Sequence, residues 1–204
     1  MMSAADALLR ELRGDASSSL LVLRGLRGLA LPLVAVCALI AACAAARGTG
    51  TRLSAPDLRI TNQIAGWRED PGSFQRFTPQ TLFDIIDGAA PEYNSRGLVE
   101  GIRQMLSGPD STSAEVFVFD FGVPDSARAM LQTRCAAAPE RTVVPGLDSA
   151  SACSSAAIGG CVAYGAFGRF YAEVTVTGVP DRQRAVALAG ELVTWYRGRV
   201  GVGE

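Results

Sequence analysis

The sequence predicts an α+β domain in which an antiparallel sheet built from two β-hairpins carries about three helices. Three observations predict it. Residues 98–106 and 114–121 are strand-like runs joined by Ser107-Gly108-Pro109-Asp110, and residues 161–166 and 169–177 form a second such pair around Phe167-Gly168. Stretches of helical apolar spacing precede, separate and follow the two pairs, giving the order helix, two strands, helix, two strands, helix. Paired antiparallel strands between helices imply a sheet with its helices on one face. The two hairpin-helix units also suggest a pseudo-repeat, carried by pattern and not by sequence identity.

The first helix opens at Thr78-Pro79, a hydroxyl N-cap followed by proline at the first helical position. Leu82, Ile85 and Ile86 share its inner face, with Phe83 beside them, and Gly88 and Pro91 interrupt it. A kink or a second short helix ending near residues 95–97 follows. In the strand 114–121, Phe117, Phe119 and Phe121 alternate with Val116, Val118 and Asp120, setting an aromatic face against a smaller, partly polar one. Pro124-Asp125-Ser126 starts the next helix, with Ala127, Met130, Leu131 and Arg134 on one side, ending near residue 137. Residues 138–160 read as a long Ser/Ala/Gly/Pro loop. Val179-Pro180-Asp181 opens the last helix, whose inner face is Val186, Ala189, Leu192, Val193 and Tyr196, with Trp195 nearby.

Ahead of this domain, Leu39-Ile40-Ala41-Ala42-Cys43 closes an apolar stretch with two small residues and a cysteine, after a positive flank of Arg24 and Arg27. The run resembles a bacterial lipobox, in which the cysteine is acylated and becomes the mature N-terminus. That resemblance implies a signal peptide over 1–42 that is removed, and palmitate-class acyl chains on Cys43 as a stable membrane anchor. The competing reading is a plain transmembrane anchor, which Arg24 and Arg27 disfavour because charges at a helix centre are costly. Residues 43–57 read as the lipidated cysteine and a flexible tether, reaching roughly 45 Å when extended. Residues 58–204 then form a single domain. Ala44 after the cysteine favours outer-membrane sorting, facing the periplasm, in an organism with two membranes.

Composition excludes several functions. The 204-residue chain has a net charge of −1, with no His, and all 19 basic residues are arginine. A near-neutral balance gives no electrostatic reason to bind nucleic acid. Without His or Lys, the usual base for a serine or cysteine nucleophile, Schiff-base chemistry and histidine-ligated zinc are all unavailable. An enzyme built from this chain would have to work through carboxylates, and no cofactor is implied.

Trp67, Phe77-Thr78, Leu82-Phe83, the run Asp87-Gly88-Ala89-Ala90-Pro91-Glu92-Tyr93, Gly97 and Glu115-Val116-Phe117-Val118-Phe119-Asp120 resemble domain of unknown function 6599. The resemblance spans roughly residues 67–195 and implies a secreted or lipoprotein location in bacteria. It implies no reaction. Pro91 departs from the family pattern, which is helix-compatible at that position.

The best candidate site is Asp84, Asp87, Glu92 and Tyr93 around the helix break. Two readings stand: the carboxylates bind a hard cation or act as an acid/base pair, or Asp87 caps backbone N–H groups freed at residues 88–90 while Tyr93 packs its ring. In the exported part Cys135, Cys153 and Cys161 tend to oxidise. A disulfide between Cys153 and Cys161 would close a short loop and contribute roughly 2–3 kcal/mol. Cys135 competes for either partner, and sequence does not assign the pairing. The resulting expectation is an envelope lipoprotein acting as a non-catalytic binding or interaction module, its partners the membrane, through its anchor, and an envelope protein or small ligand. The alternative is a carboxylate-dependent hydrolase of glycans using Asp84, Asp87 or Glu92.

Overall fold

The computed structural model describes residues 52–201. The lipobox, Cys43 and the first part of the tether lie outside the described residues. The rest of the expected tether belongs to the domain. Ala55–Leu58 form a 3-10 turn with Ala55 and Leu58 buried, and Asp57 accepts hydrogen bonds from the Ser54 hydroxyl and main-chain N–H. Arg52 and Arg169 fasten this segment at the carbonyls of Gly122 and Leu53. Short polar residues conceal the boundary in the sequence, because a single apolar turn carries no periodicity.

The strands are β1 (Arg68–Glu69), β2 (Gln75–Phe77), β3 (Glu100–Ser107), β4 (Ser113–Asp120), β5 (Ala152–Ala157), β6 (Gly160–Phe167) and β7 (Phe170–Thr177). They form one seven-stranded sheet in the order β1-β3-β4-β7-β6-β5, with β2 also paired to β3. All pairings are antiparallel. The helices are α1 (Ala90–Ser95), α2 (Pro124–Ala137) and α3 (Arg182–Gly201). Both expected hairpins are present as β3-β4 and β6-β7, and the pairing of β4 with β7 joins them. The α+β class with an antiparallel sheet is therefore observed.

The helices cover both faces of this sheet instead of one. Ile102, Leu106, Val116, Val118, Val174 and Val176 meet the apolar side of α3 in one core. Phe77, Phe119, Phe121 and Tyr171 meet α2 and the segment around α1 in another. The cause is the pleat: along β4 and β7 successive side chains point to opposite faces, and both sets are apolar, so neither face is left to water. This arrangement does not support the pseudo-repeat. A two-fold that exchanged antiparallel β4 and β7 would stand normal to the sheet and keep the following helices on one face.

Helix α3 starts where expected, with Asp181 accepting the Arg184 N–H at 2.6 Å. It buries Val186, Ala189, Leu192, Val193 and Tyr196, and the Tyr196 hydroxyl accepts from buried Gln104 at 3.0 Å. The expected first helix is instead a 3-10 turn over Leu82–Asp84 followed by α1. Gly88 at φ 68° breaks the two apart, and Pro91 sits in the first turn of α1, where its missing N–H is no loss. The tighter turn carries Phe83 off the inner face, leaving it 58% exposed.

Strand β5 lies in the stretch expected to be a loop. Its residues, Ala-Cys-Ser-Ser-Ala-Ala, have weak strand preference. Pairing with β6 on one side and a bridge from Thr142 to Ser154 on the other hold it extended.

Candidate functional site

Gly88 and the short helix α1 turn the chain so that Tyr93 lies over the aromatic row of the sheet, stacked on Phe119 with ring centroids 4.3 Å apart. Its hydroxyl donates to Glu173 Oε1 at 2.6 Å, and the Tyr171 hydroxyl donates to the same oxygen at 2.9 Å. Arg134, from α2, donates to the Tyr93 oxygen at 2.8 Å. Its Nε is 3.5 Å from Glu173 Oε1, close enough for charge attraction but without a hydrogen bond. Glu92 pairs with Arg134 at 3.3 Å and with Arg96 at 3.7 Å, and Arg96 donates to Thr133. Two carboxylates and two guanidinium groups thus neutralise one another between α1, α2 and β7.

The electrostatics follow from burial. Loss of water, then the adjacent Glu173 charge, push the Tyr93 and Tyr171 phenols far above their usual range. Both therefore remain donors, and one oxygen of Glu173 is occupied by two O–H groups. Oε1 of Glu173 is thus tied to α1 through Tyr93 and to α2 through Arg134, an arrangement suited to clamping α1 onto the sheet.

Of the expected site residues, Glu92 and Tyr93 join this cluster, while Asp84 and Asp87 do not. Both aspartates are exposed, and their carboxylates accept no hydrogen bond from the described residues. The capping reading of Asp87 does not hold, because the Ala89 N–H donates to the main-chain carbonyl of Asp87 at 2.8 Å and needs no side chain. Asp87→Ala is accordingly expected to leave thermal stability within about 0.5 kcal/mol of the parent. A larger drop in a thermal melt would restore the cap. Among the described residues no three Cys, Asp or Glu side chains are grouped so as to hold a metal ion.

Sequence reasoning did not single out Glu173, Tyr171 or the partner role of Arg134. One signal was present: Glu173 is the lone acid in the otherwise apolar and hydroxyl-bearing run Phe-Tyr-Ala-Glu-Val-Thr-Val-Thr. A charge pointing to a half-buried face requires a counter-charge.

The disulfide joins Cys135 to Cys153, with S–S 1.99 Å and Cα–Cα 6.0 Å, so the Cys153 to Cys161 pairing is corrected. Register decides the matter. Cys153 stands opposite Tyr164, on the face under α2, whereas Cys161, three residues from Tyr164, points to the face under α3. Cys161 is free and fully buried, and burial pushes its thiol up to about 11.

The surface carries four depressions that bear on function. One, of about 200 Å³, lies between Arg52 and Arg169. The others, of about 340, 440 and 280 Å³, lie along α2 and residues 141–153, beside Arg128 and Arg141. Arginine lines every one of the four, and aspartate or glutamate lines none of them.

The fold and this cluster define an antiparallel α+β domain with an arginine–carboxylate–tyrosine clamp at its centre. No family profile matches the chain, and no curated protein matches it. Among solved structures the chain is similar to the extracellular domain of PknH from Mycobacterium tuberculosis. The likeness has 15% identity and a TM-score of 0.41, and covers 72% of this chain and 92% of that one.

Proposed function

We propose that this chain is a lipid-anchored protein of the bacterial envelope, related to domain of unknown function 6599, whose folded part is a non-catalytic binding module on the extracytoplasmic side. The observation that carries the location is the disulfide between Cys135 and Cys153, a bond that persists in oxidising compartments, in a chain that also bears a lipobox-like run ending at Cys43. In a two-membrane organism Ala44 directs the anchor to the outer membrane, facing the periplasm. Among the described residues no helix is long and apolar enough to cross a membrane.

The binding role is supported by the distribution of charge. Glycoside hydrolysis needs two carboxylates facing one open cleft about 5–10 Å apart. Here Glu92 and Glu173 are both engaged by Arg134, Asp84 and Asp87 are exposed, and the four depressions present arginine. Arginine-lined concavities suit recognition of anionic groups.

The anchor is tested with Cys43→Ser in cells fed a fatty-acid analogue. The variant is expected to lose the label and to leave the membrane fraction. Equal labelling of variant and parent overturns the lipoprotein reading, and an unlabelled variant that stays in the membrane points to a transmembrane anchor.

A further inference from the structure

Three of the four depressions share lining residues. The 340 and 440 Å³ hollows have Arg128 and Ala150 in common, and the 280 Å³ hollow shares Arg141 and Ser149 with the first. They form one groove along the solvent side of α2, walled by residues 141–151. The walls are fixed. Cys135 lines the central 340 Å³ hollow and Cys153 the adjoining 280 Å³ hollow, so the disulfide ties α2 to the opposite wall. Asp148 holds the 148–151 turn by accepting hydrogen bonds from the Ala150 N–H at 3.1 Å and the Ser151 hydroxyl at 2.8 Å.

Two cations stand over this groove with charge to spare. Arg141 makes no ion pair with a described residue and donates only to the Ser149 carbonyl, at 3.4 Å. Arg128 is paired with Asp125, which is 94% exposed, and such exposed pairs exchange readily with an incoming carboxylate. The groove contains no aromatic side chain, so it lacks the stacking platform a sugar would use. Its walls of Ala136, Ala150, Ser151 and Gly168 are small enough to admit a peptide backbone. A dense polyanion fits less well, because the cations are only two and Asp125 and Asp148 stand close by in the chain.

We infer that this groove docks an extended acidic segment of a partner protein, with Arg128 and Arg141 each receiving a carboxylate in a charge-assisted, bidentate contact. The inference rests on the reading of the domain as a binding module and specifies its partner. A preformed, disulfide-braced groove needs little ordering on binding, which favours affinity for a short motif.

The full chain in neutral detergent micelles, titrated against fluorescein-labelled hexaglutamate and followed by anisotropy, tests it. The parent is expected to bind, more weakly as salt rises. An R128Q/R141Q double variant is expected to weaken binding at least tenfold, with its melt unchanged because both side chains are on the surface. R68Q, an exposed arginine on β1 outside the groove, is expected to bind like the parent, and hexaglutamine is expected not to bind. Hexaglutamate binding that survives in the double variant overturns the groove while leaving the binding-module reading in place. A parent that ignores hexaglutamate, or prefers polyphosphate at equal charge, overturns the acidic-peptide partner. Release of sugars from cell-wall glycan by the parent overturns the binding-module reading itself.

Discussion

A Cys135→Ala/Cys153→Ala chain is expected to lose about 3 kcal/mol of stability, the chain-entropy value for a crosslink of this span. The two cysteines are 18 residues apart, and the second lies in β5, a strand whose residues have weak strand preference. Without the crosslink, β5 depends on its pairing with β6 and on the bridge to Thr142, and the unfolded chain gains the freedom the bond had removed. A local effect is expected as well. Cys135 follows Arg134, and Cys153 stands opposite Tyr164, which in turn stands opposite Glu173. The bond therefore closes a ring through the sheet that holds the guanidinium of Arg134 over Glu173 and Tyr93. Hydrogen exchange should show loss of protection in α1 beyond the uniform loss caused by an equally destabilising core variant. Urea melts of the variant and of the reduced parent should coincide. Identical midpoints for oxidised parent and variant would show that the bond contributes nothing.

Replacing Glu173 with leucine is expected to cost about 2–4 kcal/mol, because it strands two phenolic hydroxyls where water reaches them poorly and leaves Arg134 with Glu92 as its one carboxylate partner among the described residues. The pair is only partly exposed, at 27% for Arg134 and 20% for Glu173, so solvent screens it less than a surface salt bridge. Glu173→Gln keeps an acceptor for the tyrosines and should cost less than the leucine variant. Adding Tyr93→Phe to Glu173→Leu removes one stranded donor, so the double variant should lose less than the sum of the singles. Strict additivity in urea melts would mean that the two side chains are not coupled, and the clamp would fall as a unit.

Much of the architecture was legible because it is local. The β6-β7 hairpin announces itself by apolar alternation on both sides of Phe167-Gly168, and α3 by an aspartate cap followed by apolar residues at helical spacing. Helix α2 was legible down to its ends, since Pro124 marks its first turn. The helix expected from Thr78 was legible only as to its break. Leu82, Ile85 and Ile86 have helical spacing, but Gly88 at positive φ and the demand that Tyr93 reach Glu173 made a 3-10 turn and a separate α1.

The candidate site was legible only in Glu92 and Tyr93. Glu92 and Tyr93 stood out by their neighbours in the chain, whereas Arg134 and Glu173 lie 41 and 80 residues from Tyr93 and meet it only through packing. Asp84 and Asp87 stood out for the same local reason and proved to be solvated, because proximity along the chain does not set the direction of a side chain.

By itself the sequence determined the hairpins, the two long helices, the antiparallel α+β class and the absence of histidine and lysine chemistry, all of which follow from residue type and spacing within about twenty positions. Tertiary structure alone decided that both sheet faces are covered, that β5 is a strand, that Cys135 takes Cys153, and that Glu173 is shared by two tyrosines and an arginine. The physical reason is common to all four. Periodicity tells a segment which side to bury, but only register and face tell it which distant segment will be there to bury it.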